Sequence, residues 1–238
     1  MEEPNRLEMF AKLFHLLQDV FDLFFPLRCL ACKSAIESPK KVLCTYCELN
    51  LPLSFFHLMH PSPIKQHLFE SFPLHEVFSL YIFEEKAMIE SLLYELKYKG
   101  NRAVGVFFGQ KLASFIVESK KHFDGIIGVP LHPKRKRKRG FNQVDLIGES
   151  AAKVLNIPYY GDFIERVKHT PKLSQSSRDR NAILRDAFRL NPMINPVKGH
   201  YLLLDDILTT GATLKACSNL IIKFEGLCLS IATIVYRN

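Results

Sequence analysis

The chain has 238 residues, 47% of them hydrophobic and 24% charged, with a net charge of +8 and a pI near 9.2. That balance belongs to a soluble globular protein rather than a disordered or membrane-embedded one, and its basic excess favours a polyanionic partner: nucleic acid, a nucleotide diphosphate or an anionic membrane surface. No apolar run reaches the roughly 18 residues a spanning helix needs, and the N-terminus lacks the features of a secretory signal. A cytoplasmic location is expected, with peripheral attachment at the inner membrane left open.

Residues 7 to 25 place Leu7, Phe10, Phe14, Leu17, Phe21 and Phe24 at helical spacing, and Pro26 ends the pattern. The polar face mixes Lys12 with Asp19 and Asp22, which suits packing on the protein itself better than lying on a membrane. Next comes C-x₂-C-x₁₁-C-x₂-C, made by Cys29, Cys32, Cys44 and Cys47. Two tight knuckles around a short insert match tetrahedral Zn(Cys)₄, and with every position taken by protein the zinc is expected to be structural. A pair of redox CxxC motifs is the alternative, without the βαβ context it requires. Cys217 and Cys228 read as core residues.

Residues 51 to 76 read as a connector, and their histidines, His57, His60, His67 and His75, lack a convincing ligand spacing. The expected domains are therefore 1–75, holding helix, zinc module and connector, and 76–238. From Val77 strands and helices alternate: VFSLYIF as a strand, a helix over 84–99 capped by Gly100 and bringing Lys97 and Lys99 to its end, a helix over 103–119, and a strand over 125–129. That strand feeds VPLHPKRKRKRGFNQ, residues 129–143, whose Lys134, Arg135, Lys136, Arg137, Lys138 and Arg139 are six consecutive bases. Tyr201 to Leu204 read as a buried strand that ends at Asp205 and Asp206. Thr209, Thr210, Gly211, Ala212 and Thr213 then lead into a helical pattern, and residues 229–236 close the chain as a buried strand. The alternation predicts a mostly parallel α/β sheet with ligands at the carboxyl ends of its strands. A strand, a small-residue loop and a helix N-terminus bind phosphate, and adjacent carboxylates suit sugar hydroxyls or a hydrated Mg²⁺, so this loop fits a ribose 5-phosphate.

The stretch YLLLDDILTTGAT resembles the 13-residue phosphoribosyl-diphosphate motif of type I phosphoribosyltransferases. The resemblance implies that fold for the second domain. It implies ribose contacts for Asp205 and Asp206, 5-phosphate contacts for Thr209 to Thr213, and a pyrophosphate loop at Pro130, Leu131 and His132. The six bases from Lys134 to Arg139 would contact the diphosphate or a nucleic acid. RGFNQ after the basic run, the four cysteines and DDILTTGAT together resemble the ComF family, phosphoribosyltransferase-like proteins associated with bacterial competence. Arg166, Thr170, Leu173, Arg178, Asn181, Ala187 and Phe188 resemble that family's mobile loop, although the spacing from Thr170 to Leu173 is shorter and the nearest glutamine is Gln175.

The resemblance implies a protein of natural transformation that binds phosphoribosyl diphosphate with Mg²⁺ and handles single-stranded DNA, in contact with membrane-associated DNA-uptake machinery. A nucleobase-salvage phosphoribosyltransferase unrelated to DNA uptake is the alternative. No residue stands out as the activator of a nucleophile, and no base-specificity hood is visible between the core elements.

Overall fold

A computed structural model describes residues 26–36, 38–39, 41–56, 59, 62–83, 88–167, 187–194 and 198–237. The amphipathic segment 7–25 lies outside the described residues, as do Thr170, Leu173, Gln175, Arg178 and Asn181. The chain forms two compact units, residues 1–50 and 51–238. In the first, an Arg28–Ala35 bridge closes the first cysteine knuckle and α1 (Thr45–Leu49) follows the third cysteine.

The connector, grouped by sequence with the cysteine module, belongs to the second unit from Leu51 onward. Leu53 makes an antiparallel bridge to Tyr81, and Ile64 and Phe69 of α2 (Pro63–Phe69) are buried in the α/β core. Burying Ile64 and Phe69 gains roughly 1.5–3 kcal/mol each, enough to hold this segment on the sheet.

The second unit is built on five parallel strands in the order β1-β7-β6-β2-β3: β1 (Val77–Ile82), β2 (Gly125–Gly128), β3 (Tyr159–Tyr160), β6 (Gly199–Leu208) and β7 (Leu227–Tyr236). Tyr201 to Leu204 and Ile231, Ala232, Ile234 and Val235 are fully buried. Near-continuous apolar runs are what a sheet covered on both faces requires. The helices are α3 (Met88–Tyr98), α4 (Arg102–Glu118), α5 (Pro133–Arg139), α6 (Gln143–Leu155) and α7 (Ala212–Ile221).

One feature departs from the sequence reading, and two lie outside it. Strand β6 does not stop before the acids; it runs through Asp205 and Asp206 to Leu208, because β7 remains paired alongside, Asp205 opposite Thr233 and Leu208 opposite Tyr236. The six bases form helix α5, begun by Pro133 at its first position and by His132, whose Nδ1 accepts from the Lys134 amide at 3.1 Å. Between the core elements, where no hood is visible in the sequence, β4 (Ile164–Arg166) and β5 (Phe188–Leu190) form an antiparallel pair held by an Arg189–Glu165 ion pair of 2.7 Å.

Helices α4 and α6 approach so closely that a Cβ on Gly105 would stand 2.7 Å from Leu146 Cβ, and one on Gly109 2.5 Å from the Ile147 carbonyl oxygen. The absence of side chains there lets α6 settle against the sheet with its first residue, Gln143, beside β6. Among the described residues, no helix is long and apolar enough to cross a membrane.

Candidate functional site

Strands β2 and β6 are adjacent, with Gly128 opposite Leu204 and the Val129 amide donating to the Leu204 carbonyl at 2.9 Å. Strand β2 ends beside Leu204 and β6 runs on to Leu208, so the segments leaving them, 129–132 and 209–211, both depart from the carboxyl end of the sheet, where open α/β folds bind ligands. After β6, Thr209 and Thr210 are exposed and Gly211 adopts φ +70°. An L side chain is strained at that φ, and a Cβ there would lie 2.8 Å from Phe69 Cζ. The turn delivers the chain into α7, whose N-terminus has no side-chain cap. First-turn amides lack partners within the helix and carry its positive dipole end, so an uncapped N-terminus suits an anion. Asp205, Ile207 and residues 208–214 surround a cavity of about 220 Å³ at this point, and Thr209 to Thr213 all belong to its wall.

Successive strand residues face opposite ways, and the two acids accordingly have different surroundings. Asp206 is buried. Its Oδ2 receives the Lys97 ammonium at 2.7 Å and the Gln143 amide at 3.0 Å. Asp205 lines the cavity, and its Oδ1 accepts the Asp206 backbone amide at 2.8 Å. Removal from solvent, and then the neighbouring Asp206 charge, push the Asp205 carboxyl up to about 8. A group so placed gains from any donor or cation that favours its ionised form.

The second loop lines a larger cavity of about 670 Å³, with Pro130, Leu131, Lys136, Arg137, Asp145 and Arg166 among its walls. Burial lowers the Arg166 pKa, and Arg135 nearby lowers it further; its guanidinium lies 5.2 Å from the Phe188 ring. Burial raises the Asp145 carboxyl despite hydrogen bonds from Tyr159 and Asn142 at 2.8 and 2.9 Å. His132 is buried and caps α5, and it lines neither of these two cavities. A helix turns about 100° per residue, so six consecutive bases must point all around it. Lys136 and Arg137 reach the cavity, whereas Lys134, Arg135 and Lys138 are exposed elsewhere, and Arg139 Nη1 donates to Gln143 Oε1 at 2.9 Å.

Lys97 and Gln143 hold an acid of the motif, yet sequence reasoning assigned neither a role there. The signals were present: Lys97 stands in the last turn of its helix, shortly before Gly100, and Gln143 ends RGFNQ. What the sequence could not display is that both converge on one carboxylate.

In the first unit the sulfurs of Cys29, Cys32, Cys44 and Cys47 all lie within 4.8 Å of one another, with Cys32 and Cys44 at 3.7 Å. Zinc–sulfur bonds of about 2.3 Å in a tetrahedron put sulfurs roughly 3.8 Å apart, so the donor set fits that ion. The Cys47 amide donates to Cys44 Sγ at 3.5 Å and Cys32 Sγ contacts the Ser34 hydroxyl at 2.9 Å, which orient the ligands.

Fold and site together define a parallel α/β protein with an acid-flanked, anion-suited cavity at its sheet's carboxyl edge and a separate four-cysteine module of metal-ligand geometry. No family model matches the chain. It is 29% identical over 224 residues to Competence protein F of Haemophilus influenzae, covering 84% of this chain and 93% of that one. It is 27% identical over 204 residues to DNA utilization protein YhgH of Escherichia coli K12, covering 82% and 84%. Competence protein ComFC of Bacillus subtilis matches at 23% over 214 residues, covering 86% and 81%. Over more than four fifths of its length the chain is thus similar to proteins named for competence and for DNA utilization, and it resembles the ComF/ComFC family. Among solved structures, an adenine phosphoribosyltransferase from Trypanosoma brucei has 15% identity over 63% of this chain and 57% of that one, with a TM-score of 0.39.

Proposed function

We propose that the protein is a phosphoribosyltransferase-like component of natural transformation that binds phosphoribosyl diphosphate and handles single-stranded DNA. The observation that carries the ligand is the run of β6 through Asp205 and Asp206 into a loop of small residues and the uncapped start of α7, around a cavity of about 220 Å³. That cavity matches a 5-phosphate held by backbone amides, with Asp205 on the ribose side. The larger cavity at Pro130 and Leu131, with Lys136, Arg137 and Arg166, supplies cations for a diphosphate. Mg²⁺ enters with the diphosphate, and Asp205 is the carboxylate lining the smaller cavity.

The biological setting follows from the relatives, two of which carry competence names and one a DNA-utilization name. The site is cytoplasmic in this reading, beside uptake machinery at the inner membrane. Cys29, Cys32, Cys44 and Cys47 hold a structural Zn²⁺, whose four thiolate ligands leave no open position. One zinc per chain by elemental analysis, and its loss together with rapid proteolysis near residues 26–50 in Cys44→Ser, are the expected results; a zinc-free protein of unchanged protease resistance contradicts the assignment.

Calorimetric titration of phosphoribosyl diphosphate with Mg²⁺ tests the ligand. Saturable binding that is lost in the Asp205→Asn, Asp206→Asn double variant supports it, and unaltered binding by that variant removes the acids from the site. Salt-sensitive binding of single-stranded DNA tests the second half of the reading independently.

A further inference from the structure

Helix α3 buries Ile89, Leu92, Leu93 and Leu96, yet leaves Tyr94 and Tyr98 53% and 68% exposed on its opposite side. Residues four apart share a helix face, and these two rings have centroids 5.2 Å apart and planes inclined by 38°. Each is paired with a cation. Lys99 Nζ lies 5.9 Å from the Tyr94 ring centre, and the Arg139 guanidinium 5.6 Å from that of Tyr98. Arg139 is held in place by Gln143, and Lys99 by an ion pair of 2.7 Å with Glu95. The basic run contains no aromatic residue of its own. The fold supplies two, from a helix more than 30 positions earlier in the chain.

We propose that Tyr94 and Tyr98, framed by Lys99 and Arg139, are a stacking platform for the bases of single-stranded nucleic acid, with its phosphates running onto the exposed Lys134, Arg135 and Lys138 of α5. The proposal rests on the reading that this protein handles single-stranded DNA. Every base has a π-face, so two ordered rings bind any sequence by stacking, while cations beside them attract phosphate. An acidic protein partner would use the same charges but has no need of two adjacent, outward-facing rings on an otherwise polar helix face. The platform also borders the sugar-phosphate site, because Lys97, next to Tyr98, holds Asp206.

The test uses the full chain and a fluorescein-labelled 20-nucleotide oligothymidylate, read by anisotropy at low salt. Tyr94→Leu and Tyr98→Leu are each expected to weaken binding roughly 5- to 150-fold. Tyr94→Phe and Tyr98→Phe, which keep the ring, are expected to bind within about twofold of the parent, and an abasic oligomer of equal length and charge to bind as poorly as the leucine variants. The chain has no tryptophan, so tyrosine emission reports directly: oligothymidylate quenches it in the parent and much less in the doubly phenylalanine-substituted protein. Should the leucine variants fail to fold, the abasic and emission measurements on folded protein still decide. If the parent binds the oligomer and the leucine variants or the abasic oligomer bind equally well, the platform is wrong while the DNA reading stands. If the parent binds no single-stranded DNA at all, both fall.

Discussion

The loops that leave β6 and β2 lie at the same carboxyl end of the sheet, and they are built on opposite plans. The β6–α7 loop, residues 209–211, leaves its helix N-terminus without a side-chain cap and presents small residues and backbone amides to a cavity. The segment after β2 has its helix capped by His132 and carries its charge on long side chains, six bases on seven residues. A backbone cradle has fixed geometry and suits a group that must be held in one place. Mobile lysines and arginines suit charge that moves or varies in length, such as a departing diphosphate or a polynucleotide. The contrast teaches that position and charge are supplied by different loops, with Asp206 tied to the framework between them through Lys97 and Gln143.

The largest effect is expected where that framework is cut. Lys97→Met leaves the Asp206 carboxylate buried without its ammonium, at a cost of about 3 kcal/mol measured by denaturant unfolding. The Lys97→Met, Asp206→Asn double variant should recover most of the loss, and a double variant as unstable as the single one contradicts the pairing. Next comes the cradle. Gly211→Ala must adopt φ +70° and meet Phe69, so a stability loss of about 1–3 kcal/mol is expected, with phosphoribosyl-diphosphate affinity falling at least about tenfold. On the other loop, His132→Ala removes the α5 cap, which costs about 1 kcal/mol, with at most a few-fold change in the same affinity. Equal affinity losses in the two variants would erase the distinction between the loops.

A subtler effect separates the acids by pH. The folded Asp205 carboxyl stands near 8, above its ordinary value of 3.8. The folded chain then binds more protons than the unfolded one between those values, so this group's contribution to stability is full below about pH 4 and is lost as pH rises through 8. Asp205→Asn removes that loss, and its melting temperature should exceed the parent's at pH 8 by more than at pH 5. A constant difference across this range would mean that the carboxyl is not held protonated. The smallest effects are expected on α5. Replacing Lys134 or Lys138 by alanine should lower the salt slope of single-stranded DNA binding by about 0.7 each, with no change in binding of phosphoribosyl diphosphate. Reduced binding of that small ligand would place these lysines in the cavity instead.

Much of this was legible in the sequence for a physical reason. The parallel strands are buried on both faces, so their apolar runs are unmistakable. The acids and small residues after Leu204 are contiguous, and so are the two cysteine knuckles. Alternation also marked the ligand end of the sheet. The less legible parts depend on contacts distant in the chain. Strand β6 passes through two carboxylates because β7 pairs with it there, and local polarity argues for an end. Six like charges in succession carry no apolar periodicity to mark a helix, although Pro133 at the first helical position and Gly140 after the last are helix signals. Helix α6 carries Val144, Ile147 and Ala151 at helical spacing after Asn142, whose side chain caps it, so RGFNQ is a helix start as well as a motif. The meeting of Lys97, Gln143 and Asp206 depends on Gly105 and Gly109 letting α4 and α6 close on each other, which no local pattern records.

The central claim is that phosphoribosyl diphosphate binds at the β6–α7 loop against Asp205, and its proton balance is the sharpest reading of it. At pH 7 a carboxyl with a pKa near 8 is mostly protonated, and sugar hydroxyls or Mg²⁺ favour its ionised form. Calorimetric titration at pH 7 in two buffers of different ionisation enthalpy should show saturable binding with release of close to one proton per ligand, falling toward zero in Asp205→Asn. Failure to bind, or binding with the same proton release in Asp205→Asn as in the parent, would contradict the account.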